Sequence, residues 1–149
     1  MTGALVALGA LVVAAAAGLL IKARSGRVRA GRDTAGRDAA GPPAEVLAAL
    51  DPAAAVTLVQ FSTTFCAPCR HTRVLLADLA ERTPGLAHAD IDLTDRPELA
   101  RRMAVLRTPT TVAVDPAGAE ILRVSGVPRR DELLAALRER LPAQASDLR

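Results

Sequence analysis

Residues 56–83 read VTLVQFSTTFCAPCRHTRVLLADLAERT, and Pro84 and Gly85 follow. Residues 56–61 are a β-branched-rich apolar run, the pattern of a buried strand. After a short polar turn, Val74, Leu75, Leu79 and nearby alanines fall on one face of a helix predicted over 69–83, which the Pro-Gly pair ends. Cys66 and Cys69 therefore stand where a strand hands over to a helix. A cysteine at a helix N-terminus faces unpaired backbone N–H groups and the positive end of the dipole, which stabilise a thiolate. Cys66 has that position. Cys69 lies about one turn along the same face, close enough to attack a mixed disulfide formed at Cys66. Pro68 falls in the first turn, where its missing N–H costs nothing.

Two other readings stand beside this redox one. The pair could be inert small residues, or half of a zinc site with His71 and His88. Zinc needs four well-placed ligands, and His71 is too near the pair in sequence to supply the usual second half. As a structural staple the pair is poor, since a bridge closing four residues contributes roughly 2 kcal/mol on the loop-entropy model. Two cysteines are also too few for a disulfide-rich secreted scaffold.

Outward from this stretch, helix and strand alternate. A helix is predicted over 44–50, a second strand over 86–93 and a short helix over 98–104, with Asp95 as its cap and Pro97 in its first turn. Strands over 110–114 and 119–126 are joined across Asp115, Pro116, Ala117 and Gly118, a hairpin signal. An amphipathic helix over 130–141 closes the pattern. A parallel βαβ unit followed by a hairpin calls for one mixed sheet covered by helices, an α/β fold.

The 149 residues allow one such domain and an appendage. Residues 2–21 carry no charge, and at about 1.5 Å each they extend roughly 30 Å, the hydrocarbon thickness of a bilayer. Residues 1–21 are thus expected to form a transmembrane helix. A cleaved signal peptide is the rival, but it would have a basic segment before its apolar run. Residues 22–43 are Gly- and Arg-rich, end in Pro42 and Pro43, and are expected to be a flexible basic linker. The soluble domain is expected over 44–142 and a tail over 143–149. The net charge of +3 is concentrated in the linker, where Lys22, Arg24, Arg27, Arg29, Arg32 and Arg37 outnumber Asp33 and Asp38 by four, so the remainder nets −1. Basic residues beside an apolar run act as a topogenic signal. None precedes the run, so the soluble domain is expected to face the cytoplasm. Phe61 and Phe65 are the only aromatic residues, which argues against a stacking platform for nucleic acid.

FSTTFCAPCR followed by an amphipathic helix, then RTPTT, a hairpin and a closing helix, resembles the thioredoxin family over about residues 44–141. The resemblance implies a thioredoxin-like fold and a thiol:disulfide oxidoreductase, with Cys66 as nucleophile and Cys69 as the resolving thiol. It implies no organic cofactor and no metal, only the redox-active Cys66–Cys69 disulfide. Expected partners are protein disulfides and an external dithiol donor, with an integral membrane partner also possible and no nucleic acid. Thr108 and Pro109 match the family's position before and at a cis-proline lying against the active-site disulfide, and Gly126 matches its late glycine. With Phe65, Ala67 and Pro68 these form the expected substrate surface. Four positions depart from the family: Phe65 replaces a tryptophan, Ala67 a glycine, Val74 a helix proline, and Gln60 a buried aspartate. Glutamine can accept a hydrogen bond but cannot take the proton from Cys69. His71 and His88 are expected at the surface, and Arg70 at a solvated helix start. The alternatives are an outward-facing domain acting on exported or haem-bearing proteins, and a membrane-tethered interaction module that does no catalysis.

Overall fold

The computed structural model describes residues 2–24, 26, 28–30 and 41–142. In chain order the elements are α1 (Thr2–Arg24), β1 (Val28–Ala30), α2 (Ala44–Ala48), β2 (Val56–Ser62), α3 (Ala67–Arg82), β3 (Leu86–Asp92), α4 (Pro97–Arg102), β4 (Thr110–Val114), β5 (Glu120–Ser125) and α5 (Arg130–Leu137), with a 3₁₀ turn at Arg138–Arg140. The strands form one sheet in the order β1-β5-β4-β2-β3. β2 and β3 are parallel, as the α3 crossover requires, and the β2–β4, β4–β5 and β1–β5 pairs are antiparallel.

All seven residues of β2 are buried, because it runs through the middle of the sheet with helices on both faces. Period-two alternation splits its side chains. Val56 and Leu58 join Leu76 and Leu79 of α3, Ala113, Leu122, Val124, and Leu133 and Leu137 of α5. Val59 and Phe61 turn the other way, onto Val46 of α2, Ile91, Leu99 of α4, Val112 and Val114. Burying each of these larger side chains contributes about 1.5–3 kcal/mol. Across the first layer, Asp78 of α3 pairs with Arg130 of α5 and with Arg82 one turn on. On the second, Arg123 of β5 donates to the Met103 carbonyl at 2.9 Å, which fastens the end of α4 to the sheet.

The structure corrects several boundaries. α3 starts at Ala67 rather than 69, because Cys66 itself caps it. α4 stops at Arg102, and Ala104 adopts φ +48°, so the expected helix over 98–104 is cut short by a left-handed turn. The cap of α4 is Arg96 and makes no side-chain bond, so Asp95 has no capping role. The expected linker over 22–43 carries regular structure in two of its described stretches. α1 continues to Arg24, and Val28–Ala30 pairs with Val124, Arg123 and Leu122 as an edge strand. Residues 31–40 of the linker and the tail over 143–149 lie outside the described residues.

The apolar segment is helical, as α1, but among the described residues no helix is long and apolar enough to cross a membrane.

Candidate active site

β2 ends at Ser62, and the chain turns through Thr63, Thr64 and Phe65 into α3. The Cys66 N–H donates to the Thr63 carbonyl at 3.3 Å, and Cys66 takes the extended N-cap conformation. Its Sγ accepts the Cys69 N–H at 3.2 Å, so the sulfur occupies the place of a capping oxygen and meets the positive helix end. Pro68 sits in the first turn, as its ring allows. Cys66 and Cys69 are joined in a disulfide, with Cα atoms 5.2 Å apart. Their surroundings differ sharply. Cys66 is half-buried, whereas Cys69 is 1% exposed, so an incoming thiol or disulfide reaches only the first sulfur.

The Thr108–Pro109 peptide bond is cis. The Pro109 carbonyl accepts the N–H of Gly126 at 2.7 Å, and Gly126 has φ +95°, a conformation that glycine adopts freely. The hydroxyls of Thr63 and Thr108 lie 3.3 Å apart, which ties the cysteine turn to the proline loop. Phe65 and Leu106 stand on those two loops, 97% and 96% exposed, with Ala67 and Pro68 also exposed. The rim around Cys66 is thus apolar and open. Phe65 lies on the cysteine turn, Ala67 and Pro68 in the first turn of α3, Thr108 and Pro109 on the proline loop, and Gly126 just past β5.

Sequence reasoning missed the brace of the cysteine turn. The Thr64 N–H donates to Thr94 Oγ1 at 2.9 Å, and Asp92 accepts the Thr94 N–H at 2.8 Å. Bonds from the Thr94 hydroxyl and N–H hold the Asp92 carboxyl below its ordinary range. An Asp two residues before a Thr in a loop is the signal of an Asx turn, and it was available at residues 92–94.

Beneath the pair, Gln60 is fully buried and donates from Nε2 to the Cys69 carbonyl at 2.9 Å. Its register neighbour Asp90 is held by Arg73 and by Ser62 Oγ at 3.1 Å. His88 corrects an expectation: it is half-buried under α3 rather than a surface residue, and loss of solvent pushes its pKa down despite nearby Asp90. His71 is exposed. The structure does not bring these histidines to the cysteines as a ligand set, and among the described residues no group of three or more His, Cys, Asp or Glu side chains could hold a metal ion.

A sheet with an oxidisable cysteine pair at a strand-to-helix junction, facing a cis-proline loop, defines a thiol:disulfide oxidoreductase of thioredoxin-like fold. Residues 44–139 match the thioredoxin family model. A thioredoxin of Mycobacterium tuberculosis is 33% identical over 86 residues, covering 57% of this chain and 73% of that protein. An H-type thioredoxin of Oryza sativa subsp. indica is 29% identical over 94 residues, covering 63% and 75%. Among solved structures, a mutant thioredoxin from Halobacterium salinarum superposes with a TM-score of 0.54 at 27% identity, over 61% of this chain and 79% of that one. The chain belongs to the thioredoxin family.

Proposed function

We propose that the chain is a membrane-anchored protein-disulfide reductase or relay whose catalytic domain faces the cytoplasm. In the reducing direction the Cys66 thiolate attacks a substrate disulfide and expels one substrate thiol. Cys69 then attacks the Cys66 sulfur, releases the second thiol and closes the disulfide, which an external dithiol reopens. The observation that carries the catalytic part is the asymmetry of the pair: Cys66 is reachable and capped onto the helix end, and Cys69 is buried behind it. The apolar rim of Phe65, Ala67, Pro68 and Leu106 suits an extended substrate chain lying across the Thr108–Pro109 backbone.

Anchoring draws its support from the uncharged run over 2–21 and from the exposed Val6, Leu8, Leu11, Val12, Val13 and Leu19 along α1. Orientation draws on the six basic residues after that run. Reduction of insulin in the presence of a dithiol tests the chemistry. Turnover is expected with the native chain and is expected to vanish in Cys66→Ser, while Cys69→Ser should accumulate mixed disulfides. Labelling of intact cells with an impermeant maleimide after a reductant pulse tests orientation. Modification of Cys66 only after lysis is the expected result, and modification without lysis would place the domain outside.

A further inference from the structure

Three side-chain oxygens near Cys69 have no hydrogen-bond partner, although all three residues are 0% exposed: Gln60 Oε1, Thr72 Oγ1 and Thr111 Oγ1. The topology brings them to one place. Gln60 of β2 and Thr111 of β4 are register partners, so their side chains leave the same face of the sheet as neighbours. That face is the one under α3, since Leu58 and Ala113, two residues away on each strand, pack against Leu76 and Leu79. The buried stripe of α3 runs Cys69, Thr72, Leu76, Leu79, which puts Thr72 one turn along from Cys69 and over the same face.

The orientation of the Gln60 amide is fixed by chemistry. The Cys69 carbonyl can only accept, so the nitrogen must point to it and the oxygen is the group left over. Three buried polar groups without partners would consume a large part of the net stability of a small domain. Buried polar groups of this kind are ordinarily bridged by an internal water, which makes about three hydrogen bonds. Here the three partners are one amide acceptor and two hydroxyls that can each donate or accept.

We propose that Gln60, Thr72 and Thr111 form the binding site of an internal water beneath Cys69, and that this water carries the Cys69 proton during resolution in place of a carboxylate. The proposal rests on the reading of Cys66 as nucleophile and Cys69 as resolving thiol. In the step, the Cys69 S–H proton passes to the water, which hands a proton on to the departing substrate thiolate. The Cys69 sulfur bonds to the Cys66 sulfur as the Cys66–substrate S–S bond breaks. Cys69 is oxidised to the disulfide level and the substrate sulfur is reduced to a thiol, with no other reactant. Titratable neighbours on this face are Asp90, held by Arg73 of α3, and His88, both on β3. β4 and β5 contribute Thr111 and Val124 here, neither of which titrates.

The test loads Cys66 of the full chain with a chromophoric aryl thiol and follows release of that thiol on attack by Cys69. For Thr72→Val with Thr111→Val, release at neutral pH is expected to slow on the order of tenfold or more, with the initial loading of Cys66 unchanged. The gap should close above the ordinary thiol pKa of about 8.5, where Cys69 ionises unaided. The same variant should melt at a lower temperature. Valine in place of a hydroxyl without any partner would instead raise the melting temperature. In the native chain, long-lived water cross-peaks are expected at Thr72 and Thr111 in rotating-frame NMR, a reading that needs no variant to fold. Unchanged release, a raised melting temperature, no such cross-peaks, or equal slowing in Asp90→Asn would each overturn the proposal. A native chain that loads at Cys66 but never releases the thiol would instead overturn the underlying assignment of roles.

Discussion

Cys66 is the residue on which the chemistry turns, and its setting makes two predictions. In the reduced protein, its thiol is expected to titrate below about 8.5 because the α3 N-terminus stabilises the thiolate, with Cys69 titrating higher behind it. Alkylation rates against pH on Cys66→Ser and Cys69→Ser separate the two, and faster alkylation of Cys69 at neutral pH would reverse the roles. Phe65, almost wholly exposed, makes the second. Phe65→Ala should leave stability within about 0.5 kcal/mol. It should lower kcat/KM for protein disulfides more than for small dithiols, which do not need the rim. The cysteines and Pro109 were legible because their meaning lies in short spacings along the chain. Thr72, Thr111 and the burial of His88 were not, since a polar residue's role there depends on which face of the sheet it meets. Gln60 was singled out by what it replaces, whereas its bond to the Cys69 carbonyl needed coordinates.

Among the elements, α4 and its exit loop lead into Pro109. Ala104 is held there at φ +48°, a conformation that costs a side chain roughly 1 kcal/mol or more and glycine almost nothing. Ala104→Gly should therefore stabilise the domain by up to about 1 kcal/mol in urea unfolding, part of the gain being offset by a freer unfolded chain. The β3 edge and the α3–α5 contact set the response to acid. Burial lowers the folded pKa of His88, so the unfolded chain binds more protons just below the ordinary value of about 6.5. Stability should fall as pH drops through that region, and His88→Gln should remove this step. Asp78 is depressed by Arg130 first and Arg82 second, so its contribution is complete above the ordinary carboxylate value and is lost as pH falls through the lower folded one. Urea midpoints from pH 7 down to acid read both, with Asp78→Asn flattening only the lower part. Strand and helix identities in residues 44–142 followed from apolar periodicity. Their ends did not, because Cys66 as a sulfur cap and Ala104 in a left-handed turn are departures that composition does not announce.

At the scale of the whole molecule, the least legible feature was β1. Val28–Ala30 lies in a stretch whose glycines and arginines read as linker, and only the open edge of β5 makes a strand of it. Gly26 fastens the same segment, donating its N–H to the Ser125 carbonyl at 2.8 Å with φ +77°. A Cβ there would run into the Val127 carbonyl oxygen. Gly26→Ala should accordingly release β1, read as faster tryptic cleavage at Arg29 with the 44–142 domain left intact. The docking of Gly26 also shortens the leash. Only Ser25 separates it from Arg24 at the end of α1, no more than about 7 Å of chain. Ser125 adjoins Gly126, whose N–H is bonded to Pro109, so the catalytic rim is moored close to wherever α1 is lodged. A domain on forty free residues would patrol a wide volume and choose partners by affinity. Under the anchoring proposed above, one moored this tightly would meet only disulfides presented at its own altitude, and vicinity would do much of the choosing.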